Sequence, residues 1–443
     1  MKSINRKEFL KTSTILGASA MIVPTIVSST LFGCESPSNQ INVGLIGCRN
    51  QGFFILKKHL ALPGVRCVAL CDVDENILEE RAATIEKEYQ QKPQKYRDFR
   101  KLLENKDIDA VIIGTPDHWH CLMMVYACQA GKDVYVEKPM ANTIEECNIM
   151  VRANERYNRI VQVGQQQRSG KIWNDVMGHI KSGKIGKLRK ANVWGNFTYG
   201  VGGPKVADSP VPAGVDFDMW LGPAPERTFN ASRYHRFWRM FWDYGGGVMT
   251  DWGCHLIDMA LWAKDIDYLP ETVMSYGKNL SFSQNAHETF DTMSVIYPME
   301  DYVITWDETS GIDSGPWGKD YGVAFIGDNG TIVANRSGWE LIPEVDEKTK
   351  EPKTEKIDIK GGSDDHALHV KNFIECVKSR ETPVCPPEKG RVVASYAHMA
   401  NIAARTGEGM LLWDDQKNSF INSKMANELI IPVYRKPWEL PRV

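Results

Sequence analysis

The sequence lacks an excess of either charge. In 443 residues, 53 Lys and Arg stand against 56 Asp and Glu, a net charge of -3. Without a basic surplus a broad phosphate-binding face has no electrostatic driver, so a nucleic-acid partner is not expected. Cysteine is sparse, ten in the chain, which is too dilute for a disulfide scaffold. No CxxC or paired Cys/His spacing of the zinc-binding kind occurs, and no metal site is expected. Internal repeats and low-complexity tracts are also missing. What is present has the balance of an ordinary globular protein, with 42% hydrophobic and 25% charged residues. At roughly 150 residues per domain the length allows two or three domains and a large core.

Residues 1–34 read as a targeting segment rather than part of the fold. Lys2, Arg6, Lys7 and Lys11 precede an apolar, small-residue stretch from Thr12 to Phe32, closed by Gly33-Cys34. Arg6-Lys7-Glu8-Phe9-Leu10-Lys11 resembles a twin-arginine export signal with Lys7 in place of the second Arg, and Leu31-Phe32-Gly33-Cys34 resembles a lipobox. Export to the periplasm or exterior follows, with Cys34 as the lipidated residue. An uncleaved anchor fits less well, given Pro24 and several Ser and Thr. Without the leader the net charge falls to -6, so the body has no attraction for an anionic membrane and any anchor is the lipid.

From Ile41 onward, short apolar runs alternate with helical stretches. The runs are Ile41–Ile46, Val65–Cys71, Ala110–Gly114, Val134–Glu137 and Ile160–Val163, with helices expected over Gln51–Leu62, Glu75–Tyr89 and Cys121–Ala130. Runs of this kind are parallel strands covered on both faces, and right-handed crossovers then give a doubly wound sheet. We place this Rossmann-type α/β domain at 41–165. Over 166–443 the segments lengthen and alternate (Leu188–Thr198, Thr272–Lys278, Thr292–Tyr297, Tyr302–Asp307), as expected for an α+β domain with a large, mostly antiparallel open sheet. The charged stretch Glu344–Lys360 reads as a solvated hairpin or loop insertion. His366–Ser379 and Gly390–Arg405 read as helices, with Asp364 or Asp365 as a cap.

Gly47-Cys48-Arg49-Asn50-Gln51-Gly52 lies between the first strand and the first helix, where a dinucleotide fingerprint belongs. Gly47 supplies the tight turn and Gly52 the close helix packing, whereas Arg49 fills a position that is Gly in the strict pattern. Asp72 ends the second strand, where a carboxylate accepts from a ribose 2'-hydroxyl and repels a 2'-phosphate, which favours NAD over NADP. The bland alternative is a Gly-rich turn with Asp72 as a helix cap. Thr115-Pro116-Asp117-His118-Trp119-His120 and Glu137-Lys138-Pro139 follow the next two strands, at the carboxyl edge where open α/β sheets bind ligands. Lys138 there exchanges protons with a substrate hydroxyl or else merely pairs with Glu137.

These segments, with Gly245-Gly246-Gly247 to Asp258 and Asn401-Ile402-Ala403-Ala404-Arg405, resemble the glucose-fructose oxidoreductase and inositol dehydrogenase family (Gfo/Idh/MocA) over nearly the whole chain after the leader. The resemblance implies a Rossmann domain plus an α+β domain whose open sheet supports a homo-dimer or homo-tetramer. It implies a tightly held nicotinamide cofactor and Lys138, Asp251 and His255 as the catalytic set. The cofactor-binding residues expected are Gly47, Arg49, Asn50, Gln51, Gly52, Asp72, Thr115, Pro116, Trp119, His120, Glu137 and Lys138.

If the stretch after Gly247 is helical, Asp251, His255, Asp258 and Trp262 form one stripe, and the carboxylate orients the imidazole as a base titrating near neutrality. The bland alternative is a capped helix with a core histidine. A metal at Asp251/His255 or His118/His120 lacks a third ligand. Aromatics crowd between Phe217 and Trp252, interleaved with Arg233, His235, Arg236 and Arg239, as suits a sugar ring. Tyr234, Trp238, Trp242 and Arg168 are the candidate substrate contacts. Expected activity is oxidation or reduction of a sugar, glycoside or polyol alcohol. The alternatives are glycoside cleavage through a transient 3-keto sugar and a noncatalytic sugar-binding module.

Overall fold

The computed structural model describes residues 40–443, so Cys34 and the expected leader lie outside the described residues. Strands β1 (Ile41–Ile46), β2 (Val65–Cys71), β3 (Gln94–Tyr96), β4 (Ala110–Ile113), β5 (Asp133–Val136) and β6 (Val161–Val163) form a parallel sheet in the order β3-β2-β1-β4-β5-β6. All four residues of β4 and of β5 are buried, which is why these strands read as unbroken apolar runs. The strand order reverses between β1 and β4, and that reversal opens a crevice at their carboxyl ends. Strand β3 was not expected: a three-residue edge strand of Gln-Lys-Tyr carries no apolar run. Helix Asp365–Ser379, from far along the chain, packs Val370, Phe373, Ile374 and Val377 into the core of this sheet with Val43 and Leu45. Its cap is Asp364, which accepts from Ala367 N.

The second sheet has ten strands: β7 (Leu188–Gly195), β8 (Thr272–Lys278), β9 (Thr292–Pro298), β10 (Val303–Thr309), β11 (Tyr321–Gly327), β12 (Gly330–Asn335), β13 (Gly338–Pro343), β14 (Ile357–Lys360), β15 (Met410–Asp414) and β16 (Ser419–Phe420). Their order is β14-β13-β12-β11-β7-β10-β9-β8-β15-β16, antiparallel except where β7 meets β10. In β9, Met293, Val295 and Tyr297 point inward and their neighbours outward, the period-two pattern of a half-covered sheet. Helices Cys254–Trp262 and Pro387–Thr406 lie on the covered face. The charged stretch Glu344–Lys360 is a hairpin excursion, as expected. Its last four residues, however, pair with β13 and complete the sheet edge.

Besides helix Asp365–Ser379, two stretches of chain reach from one lobe to the other. Residues 203–216 run back to the first sheet, where Glu75 N donates to Gly214 O (3.0 Å), Asp216 N donates to Val73 O (2.9 Å) and Arg97 donates to Gly214 O (3.2 Å). Near the other end of the chain, Trp438 packs edge-on against Trp119 at 4.9 Å between ring centres.

Candidate active site

The turn after β1 is built by three glycines in contact. Gly47 has φ of +88°, and a Cβ there would meet the Gly114 carbonyl at 2.8 Å. A Cβ at Gly52 would strike Gly47 O at 2.1 Å. Only glycine lets the helix Asn50–Leu60 approach β1 and β4 this closely. Gly52 thus sits behind the cleft as packing, whereas Gly47, Arg49, Asn50 and Gln51 line it.

The cleft has a volume of about 1000 Å³ open to solvent and is also lined by Asp72, Thr115, Pro116, Trp119, Glu137, Lys138 and Trp238. Asp72 is buried and accepts from Cys48 N (2.7 Å) and Asp74 N (2.9 Å). Helix Glu75–Tyr89 is capped by Asp74, not Asp72, so the capping alternative for Asp72 does not hold. His120 faces away from the cleft, a correction to its expected role. Its ring nitrogens lie 2.8 Å from Pro139 O and 3.0 Å from Thr115 O, clamping together the two loops that carry Thr115 and Lys138. The Thr115 hydroxyl is buried without a partner. A glycine turn, a carboxylate on the second strand and a free hydroxyl along one elongated cleft fit a dinucleotide.

At the floor of the cleft Lys138 does not pair with Glu137. Its ammonium donates to Asp251 O (2.7 Å) and to the Asp251 carboxylate. That carboxylate also meets Arg239 Nε at 3.2 Å and accepts from Tyr199 OH at 2.6 Å. Burial alone would push the Asp251 carboxyl up, but Lys138 and Arg239 outweigh it and hold it below the ordinary carboxylate range. Beside them Asp117 is only 3% exposed. Burial drives its carboxyl well above the ordinary range despite the charges of Arg239 and Lys138. Glu137 accepts from Gln51 Nε2 at 3.2 Å and is likewise raised by burial.

The expected Asp251–His255 pairing is not formed. Residues Met249–Gly253 make a π-helical turn before the α-helix Cys254–Trp262 begins. The wider turn breaks the i, i+4 stacking, and Asp251 swings to Lys138. His255 is buried with its Nδ1 unpartnered. Burial, then the charges of Lys138 and Arg336, keep its pKa well below that of an ordinary imidazole, so the ring is neutral rather than poised near pH 7.

Three expected substrate contacts are placed elsewhere. Arg168 forms a closed, forked pair with Asp258 (2.6–3.0 Å) and lies over Trp262; its guanidinium is consumed internally. Tyr234 is packed among Phe217, Trp220 and Phe229. Trp242 meets Phe290 edge-on and carries the Arg405 guanidinium over its ring, away from the cleft. Trp238 alone of the aromatic candidates lines the cleft, with Arg239 over its ring at 4.1 Å. Arg239, Asp117 and Tyr199 were not singled out. The first stood in the aromatic-rich segment and the second in a motif already quoted, while nothing local marks Tyr199. Among the described residues no group of three or more His, Cys, Asp or Glu is arranged to hold a metal ion.

Residues 41–165 match the family model for an oxidoreductase NAD-binding Rossmann fold, and residues 174–440 match the family's C-terminal alpha/beta domain. The chain belongs to the Gfo/Idh/MocA oxidoreductase family. It is 30% identical over 207 residues to a "Glycosyl hydrolase family 109 protein" of Shewanella putrefaciens, covering 42% of this chain and 45% of that one. An "Alpha-N-acetylgalactosaminidase" of Shewanella oneidensis is 31% identical over 206 residues, with the same coverage. The chain thus spans under half the length of the curated relatives it matches. The solved WlbA dehydrogenase of Bordetella pertussis, in complex with NADH and UDP-GlcNAcA, aligns over 85% of this chain and 99% of its own, at TM-score 0.62 and 18% identity. Aldose-aldose oxidoreductase from Caulobacter crescentus, complexed with glycerol, aligns over 84% and 100%, at 0.64 and 17%. Both share the Gfo/Idh/MocA fold seen here.

Proposed function

We propose that the chain oxidises or reduces a secondary alcohol of a sugar, glycoside or polyol with a retained nicotinamide dinucleotide. The observation that carries this reading is the Lys138–Asp251 contact, made between the two lobes at the floor of the glycine-turn cleft. Gly47, Arg49, Asn50 and Gln51 would hold the phosphates, and Asp72 the ribose. A carboxylate at Asp72 would repel a 2'-phosphate and so favour NAD over NADP. When bound, the nicotinamide supplies the hydride acceptor.

Two of the three Lys138 N–H groups are engaged by Asp251, which leaves one to donate to the substrate oxygen as it becomes a carbonyl. Asp251 therefore aims the ammonium rather than the imidazole. The neutral His255 ring takes the hydroxyl proton. The family 109 relatives and the raised carboxyl of Asp117 support a second reading, in which transient oxidation at sugar carbon 3 labilises the glycosidic bond and Asp117 protonates the leaving group. Incubation with a panel of glycosides, read by mass spectrometry, tests both. Keto-sugar with matching NADH supports the first, and aglycone without net NADH supports the second. Neither product, or both undiminished in Lys138→Met, would overturn the assignment.

Exposed Met274, Tyr276, Ile296 and Met410 on adjacent strands of the second sheet support a homo-oligomer formed through that face. The leader sequence supports action outside the cytoplasm, anchored through Cys34. A retained dinucleotide would then need a second substrate, or the same one, as electron acceptor in place of a dissolved pool.

A further inference from the structure

Arg336 follows β12, and its guanidinium lies 4.5 Å above the ring of Trp252. Its Nε donates to Gln167 Oε1 at 2.9 Å. Gln166, whose amide nitrogen donates to Gly164 O, presents its oxygen to Arg336 Nη2 at 3.1 Å and to His366 Nε2 at 3.2 Å. All these partners are neutral. Elsewhere Arg168, Arg227, Arg239 and Arg380 each meet a carboxylate. Among the described residues Arg336 has no carboxylate within ion-pair distance, although burial is the main influence on it and pulls its pKa down. Holding a half-buried guanidinium charged without a counter-ion is costly unless something else supplies the negative charge.

The position is next to the proposed chemistry. Gln167 accepts from Arg336 and donates to His255 O at 3.0 Å. Trp252 lies beneath Arg336 and packs edge-on against the His255 ring. Two amides fix the Nε and Nη2 sides, while Nη1 has no acceptor among the described residues. This is a pre-oriented fork, the arrangement suited to a planar carboxylate.

We propose that Arg336, held by Gln166 and Gln167 and flanked by His366, binds a carboxylate of the substrate, so that the preferred sugar is a hexuronide. Asp365 acts on Arg336 only from beyond ion-pair distance, and one guanidinium without a direct counter-ion matches one negative charge. A dianionic phosphate ester would bring a second charge towards Asp365, Asp251 and Glu137, all of which act on Arg336 electrostatically, Asp365 the most. The proposal rests on the oxidoreductase reading for the sugar's location, but it concerns recognition rather than turnover.

Calorimetric titration of the purified chain, saturated with NAD, separates the two. A methyl glucuronide is expected to bind at least about ten-fold more tightly than the matching methyl glucoside, the scale of a charge-assisted hydrogen bond. Arg336→Gln should abolish that preference while leaving methyl glucoside affinity, dinucleotide content and Tm near wild type. Arg336→Lys keeps the charge without the fork and should retain only part of it, which provides a second reading if the Gln variant fails to fold. Equal affinity for the two glycosides in the wild type, or a preference that survives in Arg336→Gln, would overturn the proposal. Glucose 6-phosphate binding as tightly as the glucuronide would overturn the choice of carboxylate. A clear glucuronide preference without any keto-sugar product would count against the oxidoreductase reading and leave the recognition site standing.

Discussion

Asp251 and Asp258 stand seven residues apart on one helical run, and each meets a buried cation, yet the two sites are built differently. Asp258 and Arg168 form a closed fork that satisfies both groups, with 1% and 8% side-chain exposure. Asp251 is shared by Lys138, Arg239 and Tyr199 at the floor of a cleft, with the raised carboxyls of Asp117 and Glu137 close by. A complete pair holds the structure. A shared one keeps charge in reserve for a ligand.

The largest test of this contrast is Lys138→Met. Turnover on an accepted glycoside should fall about 1000-fold, within the range for a positioned proton-transfer group, while dinucleotide content by absorbance of the denatured protein stays constant. A fall of less than about ten-fold would place Lys138 with the structural pairs. Next comes Arg168→Met, which strands a buried carboxylate and should cost about 3–5 kcal/mol in urea unfolding. Activity per folded molecule should hardly change. Arg168→Met combined with Asp258→Leu should recover most of the loss, and failure to recover would mean that the pair does more than fill space.

Smaller per residue is the acid effect. Burial brings His59, His118, His120, His369 and His398 from 6.5 to about 4. Their folded values lie below the unfolded ones, so the unfolded chain takes up protons first and stability is lost as pH falls from 6.5 towards 4. Glu146 and Glu308, raised by burial to about 7 and about 8, oppose this trend. Each net proton contributes about 1.4 kcal/mol per pH unit, and the raised carboxyls of Asp72, Asp117, Glu137 and Asp258 offset the imidazoles in the same sense as the two glutamates. Between pH 6.5 and 4.5 the urea midpoint should fall less in His398→Gln than in the wild type, because one such imidazole is gone; an unchanged slope would contradict a buried, neutral His398. Smallest of all, Trp242→Leu should leave KM unchanged, whereas Trp238→Leu should raise it several-fold by removing one wall of the cleft.

The same contrast marks what was legible in the sequence. Most of the first sheet could be read because its strands are covered on both sides, and the Rossmann half of the cleft could be read because its residues follow directly on those strands. Gly47, Asp72, Thr115 and Lys138 are local features. The other half is long-range. Arg168 finds Asp258 ninety residues away, and Tyr199, Arg239 and Arg336 arrive from loops or strand ends. The π-helical turn at Met249–Gly253 carries no periodic signal, so the stripe from Asp251 to Trp262 read as regular. Composition flagged an aromatic cluster but could not separate Trp238 in the cleft from Trp242 behind it.

The run from 203 to 216 clasps the first lobe beside Asp72 through main-chain bonds from Val73 and Glu75. Such a clasp tolerates drift in the exposed side chains between its fastened ends, because no side chain of its own makes those bonds. In the proposed enzyme it would keep a bound dinucleotide seated, leaving the mouth of the cleft as the open door for sugars. Electron donor and acceptor must then take turns at the open door, and double-reciprocal initial-rate plots for the two sugars should run parallel.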